Sequence, residues 1–194
     1  MRLRSPVPVL TAMVALGAPF ALAGCSRHPR TAEDAYRRFS DAVNARDHAA
    51  LFETLDQPTR WAWMTVQKSH REATDIILSN YPEAVRDREL RRFEKGAAAA
   101  NAVELFKAEE GEGLWPMLTP LVMHNPRIQV DGDHAEVLLA SAARVPFRHG
   151  EDGSWGFAGF AARAEDRKAL AIHALEEVRT SAADYERAAA RGGR

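Results

Sequence analysis

Apolar residues recur at intervals of three and four along most of the chain, and alternate with polar ones only over a short stretch in its second half. Thr31 followed by Asp34 reads as an N-cap, opening a helix on which Tyr36, Phe39 and Val43 share one face. The polar stretch from Asn44 to Asp47 breaks it. Leu51, Phe52 and Leu55 continue as a second short helix ending near Asp56 and Pro58. "TRWAWMTVQKSHREATDIILSNY" then keeps helical spacing for about six turns, until Pro82 stops it. A further helix carries Leu90, Phe93 and the charged run "VRDRELRRFEK", whose simplest role is a solvated face. "GAAAANAVELFKAEEGEG" continues helically and dissolves into a loop at Glu109 to Gly113. "LWPMLTPLVMHNP" is apolar but interrupted by prolines, which predicts a buried irregular piece or a single turn.

The period then changes from helical to two. "RIQVDGDHAEVLLAS" alternates around Asp131, Gly132 and Asp133, and "ARVPFRHGEDGSWGFAGF" does the same around a turn at His149 to Gly153, so two hairpins are expected. The segment from Arg163 onward returns to helical spacing for about 28 residues, roughly 42 Å if unbroken. Ala171, Leu175, Val178, Ala182, Tyr185 and Ala189 form one apolar stripe along it. Helices, then an antiparallel meander, then a helix make an α+β fold: N-terminal helices packed on a small antiparallel sheet, with a long C-terminal helix.

A helix followed by "ARDHAALFETLD", a V-x-G-D-x-A-x-V hairpin (Val130 to Val137) and a D-G-x-W hairpin (Asp152 to Trp155) resembles the nuclear-transport-factor-2-like superfamily. That resemblance covers residues 31–56 and 126–160. It implies a curved sheet wrapped around helices into a cone, a domain that many bacterial lipoproteins carry. Some members are isomerases or dehydratases that use acid and base side chains inside the cone, but no such role transfers to a matching position here. The helical stretch from Pro58 to Pro126 and the long final helix both depart from the family's usual pattern.

The first 24 residues follow a different logic. Arg2 and Arg4 are followed by an uncharged stretch from Val7 to Leu22 that contains Pro8 and Pro19, too short and too broken for a stable spanning helix. It ends in Leu22-Ala23-Gly24-Cys25, and Cys25 is the only cysteine in the chain. This ending resembles the lipobox of bacterial lipoproteins, which implies cleavage before Cys25 and attachment of lipid to its sulfur. Two or three acyl chains anchor a protein stably where one does so only marginally. The expected organisation is a signal peptide over 1–24, a lipidated tether over 25–30 and one α+β domain over 31–190. Five residues, Ser26 to Arg30, reach at most about 18 Å, so the domain is expected close to a bilayer. Ser26 stands where an Asp tends to retain Gram-negative lipoproteins in the inner membrane, which favours the periplasmic side of the outer membrane.

Charge narrows the partners. With 26 basic and 27 acidic side chains, net −1, nucleic acid is not an expected partner. No His-Glu-x-x-His occurs, and one cysteine excludes a thiolate zinc site. His124, Asp131, Asp133 and His134 are the richest local cluster and read as a polar hairpin turn with a loop histidine. No nucleophile elbow or phosphate-cradling glycine loop is present, so neither a catalytic residue nor a cofactor is assigned. Trp61 and Trp63 sit two apart on a helix, about 200° around it, so only one can face the core. Together with Trp155 they are the candidate contacts for a ligand or an interface. The expected function is a non-catalytic binding or scaffolding module anchored to an envelope membrane, for a small apolar ligand or another envelope protein. The alternative is a small cone-pocket enzyme, and a homodimer through the C-terminal helix is a further possibility for partners.

Overall fold

Thr31 caps the first helix as its spacing predicts, its hydroxyl accepting the Asp34 amide at 3.1 Å. The structure is a computed structural model that describes residues 28–140 and 143–192. Helix α1 (Ala32–Ala45) ends where Arg46 turns left-handed, at φ 51°. Asp47 then caps α2 (His48–Thr54) by accepting the amides of Ala49 and Ala50. Asp56 caps α3 (Gln57–Asn80) in the same manner, with Pro58 in its first turn where a missing N–H costs nothing.

The charged run, expected as one helix through Phe93, forms α4 (Glu83–Leu90), which buries no residue, and then breaks. The Arg92 and Phe93 amides turn back to the Glu89 and Leu90 carbonyls, and Glu94 and Lys95 belong to the next helix. The alanine-rich tract that follows is not continuous. It splits into α5 (Glu94–Ala98) and α6 (Ala102–Glu110) because Asn101 accepts the Glu104 amide and starts a new helix, while Gln67 on α3 donates to the Ala99 carbonyl at the break. The proline-broken stretch gives one turn of helix, α7 (Leu114–Leu118), and a 3-10 turn (Thr119–Leu121), with Leu114, Trp115 and Leu118 buried.

The four strands β1 (Arg127–Asp131), β2 (His134–Leu138), β3 (Arg144–His149) and β4 (Trp155–Phe157) form an antiparallel meander in sequence order. Gly132, at φ +59°, makes the two-residue turn between β1 and β2. The inward positions of the sheet, Ala135, Val137, Val145, Phe147 and Phe157, pack with Tyr36, Phe39, Ala42 and Val43 of α1. Phe39 is at the centre, fully buried, with its ring 4.5 Å from that of Phe157 and 6.1 Å from that of Phe147.

Helix α8 (Ala161–Gly192) has 32 residues, starting two residues earlier than its sequence pattern suggests, and is about 48 Å long. It runs parallel to α3, since Arg167 covers the ring of Trp63, Arg179 pairs with Glu72 and Glu186 accepts from Asn80. The seam between them is lined by small and aliphatic residues: Ala62, Val66, Ser69, Ala73 and Ile77 on α3, and Ala164, Ala171, Leu175, Val178 and Ala182 on α8. At its far end a second cluster gathers Ile77, Tyr81, Phe93, Leu175 and Val178. The predicted stripe ends at half-buried Tyr185, and Ala189 is exposed. The reason is length: α3 stops at Asn80, opposite Glu186, so it does not extend to Ala189.

Candidate functional site

The three candidate tryptophans lie in different surroundings. Trp63 is buried, edge-on to Phe106 at 5.5 Å and covered by the Arg167 guanidinium, with no acceptor for its Nε1 among the described residues. Trp61 points the other way and is 55% exposed, as the 200° separation requires. Trp155 is buried on β4 against His149, and its backbone amide does something the sequence did not signal. It donates to the carbonyl of Pro29 at 2.9 Å. Pro29 is itself buried, so the folded unit begins inside the segment read as tether. Cys25 lies outside the described residues.

Around this docking point the structure collects a polar pole from three elements. The β3–β4 turn is held by Asp152, whose carboxylate accepts both the amide and the hydroxyl of Ser154, at 3.0 and 2.6 Å. The bond from the Ser154 hydroxyl, first of all, keeps the Asp152 carboxyl below its ordinary range. Asp56, at the start of α3, is buried. Its amide donates to the Phe157 carbonyl, its Oδ1 caps the helix, and its Oδ2 forms an ion pair with Arg148 at 3.1 Å. Arg60, one turn into α3, is largely buried, with Glu53 as its ion-pair partner at 3.7 Å. Asp56, Arg148 and Pro29 were missed by sequence reasoning. Asp56 two residues before Pro58 was legible as an N-cap, but its partner on β3 was not.

A second feature is a cleft of about 820 Å³, open to solvent, between α1 and residues 119–128. Tyr36 forms its floor: the hydroxyl donates to the Leu121 carbonyl at 3.1 Å and accepts the Met123 amide at 2.6 Å. Asp41, His124 and Ile128 line it, and the buried Ser40 hydroxyl beside it has no hydrogen-bond partner among the described residues. The predicted hairpin cluster stays on the surface. His134 and Asp133 bond to each other at 2.6 Å, which lowers the Asp133 carboxyl from its ordinary range. Among the described residues, no three His, Cys, Asp or Glu side chains converge as metal ligands.

His70, on α3, has a displaced titration. Its ring meets Phe93 edge-on at 5.5 Å, and its Nδ1 is buried without a partner among the described residues. Burial pushes its pKa below the ordinary 6.5; Glu109 acts against that shift and Arg167 with it. The unfolded chain therefore takes up a proton near 6.5 that the native state refuses until lower pH, so stability is full above that value and declines as pH falls from it. His70→Gln is expected to flatten this decline. Urea midpoints of wild type and variant at pH 7.5 and 5.5 measure it, and equal losses in both would sink the assignment.

No family model, no curated protein and no solved structure matches this chain.

Proposed function

We propose that this is a lipid-anchored envelope protein whose folded part is a non-catalytic binding or scaffolding module held at the membrane surface, for another envelope protein or a small apolar ligand. The observation that carries the reading is the bond from the Trp155 amide to the Pro29 carbonyl. It brings the folded unit to within four residues of Cys25, the residue that would bear lipid. Three residues, Ser26 to His28, then separate anchor from fold, a reach of about 10 Å. The pole built from the β3–β4 turn and the start of α3 would face the bilayer. Exposed Trp61, on the second turn of α3, suits a headgroup layer. Because α3 and α8 both start at that end, their parallel pair would lead away from it and present its far end to partners.

A packed interior supports binding over catalysis. The space between α1 and the sheet is filled by Phe39, Phe147 and Phe157, whereas a cone-pocket enzyme needs an enclosed cavity with an inward acid or base. The cleft that Asp41 and His124 line is open, and the Tyr36 hydroxyl on its floor is already committed to backbone groups.

Fractionation of cells producing wild type and Cys25→Ser tests the anchor. Wild type is expected in the membrane fraction, in the outer membrane of a Gram-negative host, with an N-terminal peptide whose mass includes acyl chains. The variant is expected to lose both. An unaltered membrane fraction for Cys25→Ser would rule out lipid tethering.

A further inference from the structure

The two edges of the sheet are treated differently. Along β4 the outer backbone groups are occupied: Trp155 donates to Pro29, Asp56 donates to Phe157, and Leu55 bridges Phe157 in parallel. Along β1, among the described residues, no backbone bond outside the β1–β2 ladder is made by any of its residues. An uncovered edge strand is a template for another strand, and proteins usually blunt it.

The free groups of β1 can be identified. His149 donates to the Asp133 carbonyl and Leu139 to the Ala143 carbonyl, so the odd-numbered residues of β2 bond toward β3. The even ones, His134, Glu136 and Leu138, therefore bond toward β1, where they face Asp131, Gln129 and Arg127. This leaves the N–H and C=O groups of Ile128 and Val130 pointing outward. Both side chains lie on the inward face of the sheet, opposite buried Val137 and Ala135, yet Val130 is 52% exposed. Apolar surface is thus open beside the free hydrogen-bonding groups.

From these groups we infer that β1 pairs antiparallel with β1 of a second copy of this chain, joining two sheets across a two-fold axis at Gln129. The sequence Arg127-Ile128-Gln129-Val130-Asp131 is complementary to itself in that register. Ile128 faces Val130 of the second copy, and the outward N–H and C=O groups of each meet those of the other, giving four hydrogen bonds. Arg127 faces Asp131 of the second copy at a non-hydrogen-bonded position, where side chains approach most closely. Charges that merely guarded the edge would do so best with one sign; opposite signs at the two ends select this pairing. The interface is isologous and closes as a dimer.

Sedimentation equilibrium of the full-length protein in detergent, together with disulfide mapping, tests this. Wild type is expected to dimerise with concentration. Arg127→Asp and Asp131→Arg each place like charges opposite one another twice in the symmetric pair, and each is expected to weaken the dimer by about tenfold or more. The double exchange is expected to restore it. Val130→Pro removes an outward N–H and leaves the β1–β2 ladder intact, so it should abolish the dimer with the circular dichroism spectrum unchanged. Gln129→Cys should yield, on mild oxidation, a peptide linked to itself through position 129. A monomer at every concentration would overturn the inference. So would a dimer indifferent to these changes but lost on Leu170→Asp, which would put the interface on α8, where Leu170 is exposed.

Discussion

Phe39→Ala is expected to destabilise the protein by about 3–5 kcal/mol, the range for deleting a large aromatic from a core that cannot collapse around the gap. Phe39 has no exposed surface, and its ring meets Phe147 on β3 and Phe157 on β4. Its neighbours cannot close the hole easily. Tyr36 is held by the Leu121 carbonyl and the Met123 amide, and Phe147 and Phe157 are fixed in paired strands. For a chain of this size the melting temperature should fall by roughly 10 °C. Urea unfolding measures the effect, and the slope should stay unchanged if the native state remains compact. A loss below about 1 kcal/mol, outside the range for such deletions, would mean that α1 does not pack on the sheet as described.

Gly156→Ala adds one methyl group and is expected to cost about 3 kcal/mol, at the upper end for overpacking. A Cβ at this position would lie 2.5 Å from the Asp56 Cα, 2.6 Å from the Asp56 nitrogen and 2.7 Å from the Leu55 carbonyl oxygen. All three are backbone atoms, so no rotamer change relieves the clash. The α2–α3 junction must move off β4. That movement breaks the bond from Asp56 to Phe157 and disturbs the cap of α3 together with the Arg148 ion pair. Gly113→Ala is the matched control, because a Cβ there meets nothing within 4 Å. If the two variants unfold at the same urea concentration, the close approach of the junction to β4 is wrong. Where the anchor reading holds, Gly156→Ala should also make the segment around Pro29 more accessible to protease, since Trp155 beside it is the docking partner.

Local chemistry was legible in advance to the extent that it is local. The cap at Thr31, the break before Asp47, both hairpin turns and the long last helix are decided within a few residues by side-chain-to-backbone bonds, glycine conformations and apolar spacing. Two helices read as continuous are broken, at Arg91 to Phe93 and at Ala99 to Asn101, and the second fails for a reason of the same kind. An Asn can cap as well as interrupt, and it is the Gln67 side chain from another helix that settles the matter. The candidate site was less legible. That Trp61 and Trp63 must diverge follows from helical geometry alone, but which of them is buried depends on where Phe106 and Arg167 arrive, more than forty and a hundred residues away.

The sequence by itself therefore determined the element types, their order, the α+β class and the opposed tryptophans, because period and capping act over one or two turns. Tertiary structure alone decided the parallel pairing of α3 with α8, the burial of Asp56 against Arg148, the capture of Pro29 by β4 and the open edge of β1. Each of these depends on backbone groups or charges brought together from distant parts of the chain. No local pattern records such a meeting, because its free energy exists only once the surrounding elements have packed and excluded water from it.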